Sequence, residues 1–376
     1  MQTNHKEVVT KETPVTVERI GPRTSITKGP FIPKATGEIV GTSQKTPTSP
    51  CTKRRRGQEL NANVNGLANL ETLQVSNFES NIENIKQLLS LKIQCFKAGN
   101  ISKFYSKWLE LTSDPEVLNT VKGQSIGFTT TPYQDQVPAQ KKFSAEESNI
   151  IQCEINKLLQ KKVIKSTSHE PGQFISTIFL RPKPDGTHRM ILNLKKLNES
   201  VKYEHFKMDT LWTVIRMMKH NCYMASVDIK DAYYSVPIAD TDQKYLKFEW
   251  WGTLYKFTCF PNGLAFCPRK FTKLLKPVYC YLRKKGHLSS GCIDDSYLQG
   301  DGHQDCLANV LDTIKLFDSL GFILHPEKSV FIPTQIITFL PHPTKTTKTE
   351  KCLHTCNQCT KANNETCCST VGTNDI

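Results

Sequence analysis

Between about residues 163 and 340, strand patterns alternate with turn signals and helical patterns, and this alternation restricts the fold more than any other feature of the chain. Short apolar runs bounded by turn residues indicate strands, and apolar residues at three- and four-residue steps indicate helices. The predicted strands are 175–180, 190–194, 223–229, 245–250 and 254–259, and the predicted helices are 210–218, 268–283 and one carrying Leu307, Val310, Leu311, Ile314 and Phe317. This βαββαβ-like order predicts an α+β fold with helices on one face of a sheet.

The chain before this region has a different character. Residues 1–66 are rich in Thr, Pro, Lys and Asn without a sustained apolar period, so we expect a disordered basic region. Its basic cluster, residues 53–56, is either a nuclear import signal, a nucleic-acid-binding arm or a chance run in a basic tail. A mostly helical segment is predicted over residues 67–143, and a capping box of Ser144 and Glu147 begins another helix.

The charge balance favours a polyanionic partner. Forty-nine Lys and Arg residues against 35 Asp and Glu residues give a formal net charge of +14. Such an excess is typical of nucleic-acid-binding proteins, although solubility alone is the other explanation.

Neither the start of the chain nor any later segment suggests a membrane. Residues 1–10 have no apolar signal core, and no apolar run approaches the roughly 18 residues that cross a bilayer. We therefore expect an intracellular protein that is neither secreted nor membrane-spanning, in the nucleus or the cytoplasm. The 14 cysteines are mostly single within apolar patterns, as at Cys95, Cys153, Cys259 and Cys280, which predicts reduced core residues.

One carboxylate closes a mostly apolar strand pattern. Alternation along residues 223–229 places Met224, Ser226 and Asp228 on one face of the predicted strand. An unpaired carboxylate at the end of a buried strand is unfavourable unless a cation or hydrogen-bond donors accompany it. Asp228 is therefore a candidate metal ligand.

A second acidic feature is the Asp294–Asp295 pair within the apolar stretch SGCIDDSYL, residues 290–298. Adjacent carboxylates repel each other, so the pair is either a solvated turn or a metal site. If the two strands are neighbours, Asp228, Asp294 and Asp295 converge and can hold two Mg²⁺ ions, which prefer hard oxygen ligands.

Five blocks in order carry a resemblance to the reverse transcriptases of retroelements. They are residues 179–198, 226–233, 260–269, 293–295 and 320–329, and residues 98–100 and 108–115 resemble the leader that precedes this domain. The amino-acid sequences of these blocks are most similar to those of DIRS-like (tyrosine-recombinase) retrotransposons. The resemblance covers about two thirds of the chain and implies the fingers and palm of a right-hand polymerase over residues 144–341. It also implies a ferredoxin-like antiparallel palm sheet, after a helical leader at 67–143.

The implied activity is RNA-directed, and alternatively also DNA-directed, synthesis of DNA. The resemblance implies that Asp228, Asp294 and Asp295 hold two Mg²⁺ ions, with Mn²⁺ as the alternative, during nucleotidyl transfer from a deoxynucleoside triphosphate to a primer 3′-hydroxyl. The implied partners are an RNA or DNA template-primer and the triphosphates. A catalytically inactive remnant that only binds nucleic acid is the rival interpretation.

The same blocks imply further roles, and for all but Asn262 and Gly263 there is also a simpler explanation. Lys183 and Arg189 match residues that grip the incoming triphosphate, or are ordinary exposed hairpin charges. Tyr233 matches the aromatic ring that stacks under the sugar and excludes a 2′-hydroxyl, or is a core residue. Asn262 and Gly263 match the loop beneath the nucleotide. Lys328 matches a late lysine that protonates pyrophosphate, or is a surface lysine.

The last part of the family pattern departs from expectation. Small residues at 289–291 are expected to weaken their strand, and Pro341 is expected to interrupt the following hairpin. Residues 342–376 are a Cys-rich tail, expected to be a truncated thumb or disordered. Its zinc candidates are Cys352, His354, Cys356, Cys359, Cys367 and Cys368, which leave a zinc-stabilised interaction protein as a third interpretation.

Overall fold

The computed structural model describes residue 70, residues 73–183 and 186–339 and the backbone of 342–345. The described part of the chain begins with helices. These are α1 (Val75–Phe78), α2 (Ile82–Cys95), α3 (Tyr105–Leu111) and α4 (Pro115–Gly123). The buried side of α2 is Ile85, Leu88 and Leu89, as its apolar period predicts. Helix α4 starts at Pro115 because the Asp114 carboxylate accepts the Glu116 backbone N–H, a standard N-cap.

The strands and remaining helices follow in the described residues. In chain order they are α5 (Ala145–Gln160), β1 (Ile164–Thr167), β2 (Ile178–Pro182), β3 (His188–Leu192), α6 (Lys195–Asn198), α7 (Leu211–Met217), β4 (Tyr223–Asp228), β5 (Lys247–Trp250), β6 (Thr253–Phe257), α8 (Cys267–Lys284), β7 (Leu288–Cys292), β8 (Asp295–Gly300), α9 (His303–Ser319), β9 (Val330–Thr334), β10 (Ile336–Phe339) and β11 (His342–Lys345). The capping box that begins α5 at Ser144 is present, with both of its hydrogen bonds.

Four antiparallel strands form the central sheet, in the order β7–β8–β4–β9. With α8 after β4 and α9 after β8, this is the strand order of a ferredoxin-like βαββαβ unit, into which β5 and β6 are inserted. Helix α9 packs on β8, β4 and β9, and α8 packs on β7. The expected α+β palm is therefore confirmed, with α8 and α9 packed on the sheet.

The two faces of this sheet are buried differently. Ala225 and Val227 of β4 belong to the large core beneath α8 and α9. Met224, from the opposite face, packs in a small second core with Val214 of α7, Ile337 and Phe339. The Asp228 side chain lies on this second face, at the open end of the strand.

Two smaller sheets stand apart from the palm. Strands β1, β6 and β5 form an antiparallel sheet, and β2 pairs with β3 in a hairpin that we call the fingers hairpin. The β2–β3 and β5–β6 hairpins were both predicted. Strand β2 begins at Ile178 and not at the predicted Ile175, because Ile175 makes only a single bridge to Lys247.

An extended segment, residues 124–143, crosses the fingers hairpin without helix or strand, and we call it the strap. The Gln134 side chain donates to the Ile175 carbonyl and accepts the Ile175 N–H, both at 2.8 Å. Gln140 makes the same two bonds to Ile178, both at 2.9 Å. The Gln140 amide thus takes the place of a neighbouring strand at the open edge of β2, and Gln134 does the same for Ile175, which precedes that strand.

An ion cluster joins the leader to the palm. Glu116 of α4 forms ion pairs with Arg269, Lys270 and Lys273 on α8. Burial alone would raise the pKa of Glu116, but the hydrogen bonds from Lys273 and Lys270 outweigh it and lower that pKa to about 2. The leader is therefore held to α8 by charge as well as by apolar contact.

Strand β7 forms along its full length although its small residues were expected to weaken it, and these residues take part in the packing. Residues 288–292 pair with β8 along their whole length, and Ser289 and Ser290 are buried. A Cβ added to Gly291 would lie 2.0 Å from the Tyr279 hydroxyl oxygen. Gly291 therefore makes room for the Tyr279 ring of α8 against the sheet.

The hairpin that Pro341 was expected to interrupt is present, because β10 pairs antiparallel with β11. Residues 340 and 341, between the two strands, lie outside the described residues, and the domain boundary expected at 341 stays a prediction. Residues 1–66, with the basic cluster 53–56, and residues 346–376, with the zinc candidates, lie outside the described residues.

The described cysteines are all free thiols, as expected. Cys259 is buried, but Cys95, Cys153 and Cys280 are exposed on their helices, so the expectation that they are core residues was wrong. Within the same part of the chain, no helix is long and apolar enough to cross a membrane.

Candidate active site

Two of the predicted acidic residues are direct neighbours in the palm sheet. Asp228 ends β4, Asp295 begins β8, and the two are cross-strand partners in the antiparallel register. Such partners share a face and have Cα atoms about 4.5–5.5 Å apart. Asp228 is 8% exposed and Asp295 is half-buried, so both carboxyl groups lie in a partly water-excluded cleft.

The third aspartate lies in the turn beside them. Cys292 pairs with Asp295, which leaves Ile293 and Asp294 as a two-residue turn, and the Asp294 carbonyl accepts the Ile229 N–H at 2.7 Å. Ile293 has φ +57°, a left-handed conformation that is strained for a β-branched residue. This turn holds the exposed Asp294 side chain next to the strand pair.

Burial and mutual repulsion act on these carboxyl groups. Burial, followed by the charges of Asp294 and Asp228, raises the pKa of Asp295 to about 6. Burial also raises the pKa of Asp228, while the Lys328 ammonium opposes the shift and Asp294 adds to it. The cleft is therefore short of positive charge.

This deficit suits a divalent cation. Three carboxylates are the hard oxygen donors that Mg²⁺ prefers, and Mg²⁺ usually completes its shell with water and phosphate oxygens. In the part of the chain that the structure describes, no three His, Cys, Asp or Glu side chains are already gathered in metal-binding geometry. Asp228 and Asp295 lie side by side as cross-strand partners, so an ion bound between them would need further ligands.

A turn after α9 supports the end of β4. The Ser329 hydroxyl accepts the Asp228 N–H at 3.0 Å and donates to the His325 carbonyl at 2.8 Å. The His325 N–H donates to the Asp228 carbonyl at 2.9 Å. The same turn carries Lys328, whose exposed ammonium acts on Asp228 and Asp295. Sequence reasoning did not select Ser329, although it closes the last matching block.

Tyr233 lies beside the aspartate turn. It is half-buried and packs edge to face on Phe271, with ring centroids 5.5 Å apart. Burial, together with the nearby charges of Cys267 and Asp294, raises the pKa of the Tyr233 phenol. Tyr233 is thus both a packing residue and a wall of the cleft.

The loop containing Asn262 and Gly263 is tied to the start of the palm. Asn262 donates from Nδ2 to the Tyr234 hydroxyl at 3.3 Å. Gly263 has φ +96°, and its carbonyl accepts Nδ2 of Asn198 at 2.9 Å. The Oδ1 of Asn198 also accepts the Ala265 N–H at 3.0 Å, so one amide bridges two points of the loop. Asn198 ends a matched block but was not predicted as a site residue.

The fingers hairpin carries the two predicted cationic residues. Lys183 lies at its end and donates to the Thr187 hydroxyl at 3.0 Å. The Arg189 side chain is exposed. Burial raises the pKa of the Tyr234 phenol, and the charge of Arg189 acts in the opposite direction. Arg189 is therefore near Tyr234, the partner of Asn262, whereas Lys183 has no described contact with the aspartates. The connecting residues 184 and 185 lie outside the described chain.

A family model matches the part of the chain that contains these residues. Residues 181–344 match the model described as reverse transcriptase (RNA-dependent DNA polymerase). The Transposon Tf2-3 polyprotein of Schizosaccharomyces pombe is 21% identical over 334 residues, which cover 78% of this chain and 24% of the polyprotein. The chain thus spans about a quarter of the length of this relative.

Solved structures show the same fold. The foamy viral protease-reverse transcriptase in complex with dsDNA superposes with a TM-score of 0.51 at 22% identity, covering 58% of this chain and 44% of that one. The same viral protein in complex with an RNA/DNA hybrid gives a TM-score of 0.51 at 19% identity, over 65% of this chain and 35% of that one.

Proposed function

Because residues 181–344 match the reverse transcriptase family model, we propose that this chain forms the fingers and palm of an RNA-directed DNA polymerase from a retrotransposon. It adds deoxynucleotides to a primer 3′-hydroxyl on an RNA template, and also on a DNA template. The observation that carries the proposal is the pairing of Asp228 with Asp295 beside the turn of Asp294. The leader at 67–143 and the fingers and palm at 144–341 remain the proposed domains.

The three aspartates are the proposed holders of two Mg²⁺ ions, with Mn²⁺ as the alternative. When bound, these ions would lower the pKa of the primer hydroxyl and neutralise the phosphates. The chain itself orients the reactants. Lys183 and Arg189 hold the triphosphate, and Tyr233 bounds the sugar. Asn262 and Gly263 support the nucleotide from below, and Lys328 is the proposed proton donor to pyrophosphate.

Template-primer binding is part of the same proposal. The solved relatives hold dsDNA and an RNA/DNA hybrid, and the formal charge of +14 suits a nucleic-acid backbone here as well. A primer-extension assay on a homopolymer RNA template tests the function. Synthesis should be lost in Asp294→Asn and kept in Asp301→Asn, an exposed aspartate paired with Lys219.

The rival interpretation makes a different prediction in that assay. An inactive remnant would bind the template-primer with steep salt dependence and show no synthesis with either protein. Binding that is unchanged by Asp294→Asn, together with an inactive wild type, would reject the proposed activity.

The metal site has a test that does not depend on synthesis. Mg²⁺ or Mn²⁺ should raise the Tm of the chelator-treated wild type, because ligand binding to the folded state stabilises it. We expect this increase to be lost in Asp228→Asn and retained in Asp301→Asn. An equal increase in all three proteins would place the ion elsewhere.

The DIRS-like subfamily is proposed from the amino-acid sequences of the motifs alone. The DNA that flanks this reading frame tests it, since an element of that type carries a tyrosine recombinase. A different integration enzyme at that place would contradict the subfamily and leave the polymerase proposal untouched.

A further inference from the structure

The fingers hairpin has one buried and one exposed face. Ile178, Met190 and Leu192 are buried, while Phe179, Arg181 and Arg189 are exposed, as the two-residue period of each strand requires. Arg181 and Arg189 are direct cross-strand partners. Because such partners share a face, the two guanidinium groups project from the same side of the hairpin.

This arrangement is unfavourable without a counterion. Like charges directly opposite each other on a sheet are destabilising, and within the described residues neither arginine forms an ion pair or side-chain hydrogen bond. Among the described residues, no carboxylate pairs with these arginines as Asp301 pairs with Lys219. An anion between the two arginines would remove the repulsion.

The position of the hairpin indicates which anion. The hairpin lies beside the loop assigned to the nucleotide, since a Cβ added to Gly263 would lie 3.7 Å from the Leu192 carbonyl oxygen of β3. Asn262 of the same loop donates to the Tyr234 hydroxyl. Guanidinium groups bind phosphate oxygens in two-pronged geometry, so two of them in register suit a polyphosphate or a phosphodiester backbone.

We propose that Arg181, together with Arg189, forms a phosphate clamp on the fingers hairpin. The inference rests on the proposed polymerase function and extends it to a residue that the motifs did not assign. The phosphate comes either from the incoming triphosphate or from the nucleic-acid strand, and the experiment separates these sources.

The test measures equilibrium binding, so that it does not require synthesis. Wild-type protein and Arg181→Gln are titrated with dTTP in the presence of a primer-template whose primer ends in a dideoxynucleotide. Affinity for the primer-template alone is measured over a range of salt concentrations. Arg181→Lys keeps the positive charge but loses the planar guanidinium group that forms two parallel hydrogen bonds. Arg283→Gln, which changes an exposed arginine on α8, is the matched control.

We expect Arg181→Gln to weaken dTTP binding about tenfold. The dTTP affinity of Arg181→Lys should lie between those of Arg181→Gln and the wild type, and that of Arg283→Gln should equal the wild-type value. If the phosphate belongs to the strand, primer-template affinity falls instead, and its salt slope decreases by about one. In either case the Tm of the ligand-free protein should not fall, because the substitution removes a like-charge pair. An Arg189→Gln combination should be non-additive, since both residues would hold the same group.

The inference is overturned if Arg181→Gln changes neither affinity by more than twofold while the fold is intact. It is also overturned if Arg283→Gln weakens binding to the same extent, since general surface charge would then explain the result. A wild type that binds dTTP but does not extend a primer would reject the proposed function without affecting this measurement.

Discussion

The Asp228 N–H donates to the Ser329 hydroxyl, and that hydroxyl donates in turn to the His325 carbonyl. This bond fixes the end of β4 to the turn that carries Lys328. The carboxylate and the lysine assigned to opposite sides of the reaction are therefore positioned by one small side chain.

Ser329→Ala should lower kcat more than it changes KM for the triphosphate. The substitution leaves the Asp228 N–H without its partner, which costs about 1–3 kcal/mol in a partly buried site. Because the end of β4 then loses its anchor, we expect about a tenfold decrease in kcat for primer extension. Ser329→Thr keeps the hydroxyl and should restore most of the rate. Equal kcat values for the Ala and Thr variants would contradict the positioning role.

Asp295→Asn should stabilise the metal-free protein at neutral pH. The pKa of Asp295 is about 6 in the folded protein against an ordinary value of 3.8, so the folded state holds this proton more tightly than the unfolded state. The stability of the wild type therefore decreases as the pH rises from about 4 to about 6 and stays lower above it. The gain from Asn is on the order of 2 kcal/mol at pH 7.5 and shrinks toward pH 4.

Thermal unfolding at pH 5, 6 and 7.5 with a chelator measures this effect. Asp301→Asn, which changes an exposed aspartate, is the control. A stabilisation by Asp295→Asn that is the same at all three pH values would show that the raised pKa is not its cause.

Gln140→Ala should loosen the fingers hairpin at the strap. It leaves the N–H and carbonyl of Ile178 without their protein partners, so we expect a loss of about 1–2 kcal/mol in stability. The amide of Ile178 should exchange with solvent faster, while the Ile175 amide, which Gln134 holds, keeps its protection. Gln134→Ala is the matched variant and should show the reverse pattern. Unchanged exchange at Ile178 would mean that the strap does not hold β2.

Gly291→Ala should destabilise the palm. The new methyl group would overlap the Tyr279 ring, and the Tyr279 hydroxyl hydrogen-bonds Ser296 at 2.7 Å, so the ring has no free position nearby. Overpacking of this kind costs about 1–3 kcal/mol. Gly127→Ala, where the nearest atom is 3.9 Å from the added Cβ, should have little effect. Chemical denaturation of both variants provides the comparison, and equal midpoints would contradict the packing explanation.

Local patterns were sufficient for the elements and for the acidic residues. The apolar period predicted α2 and α9, turn residues predicted both hairpins, and the capping box predicted the start of α5. The elements follow from neighbours a few residues apart, which a sequence displays directly. Asp228 and the Asp294–Asp295 pair were selected because buried carboxylates are unfavourable without a partner.

The partners of these elements were decided by the tertiary structure. The pairing of Asp228 with Asp295, the Gln140 bonds to Ile178 and the space that Gly291 leaves for Tyr279 all join segments that are separate in the chain. The small residues in β7 suggested a weak strand, because the sequence pattern of one strand does not show that the Tyr279 ring of α8 packs against it. The sequence by itself therefore determined which groups the site contains, whereas register and packing between distant segments decided where each group lies and what holds it there.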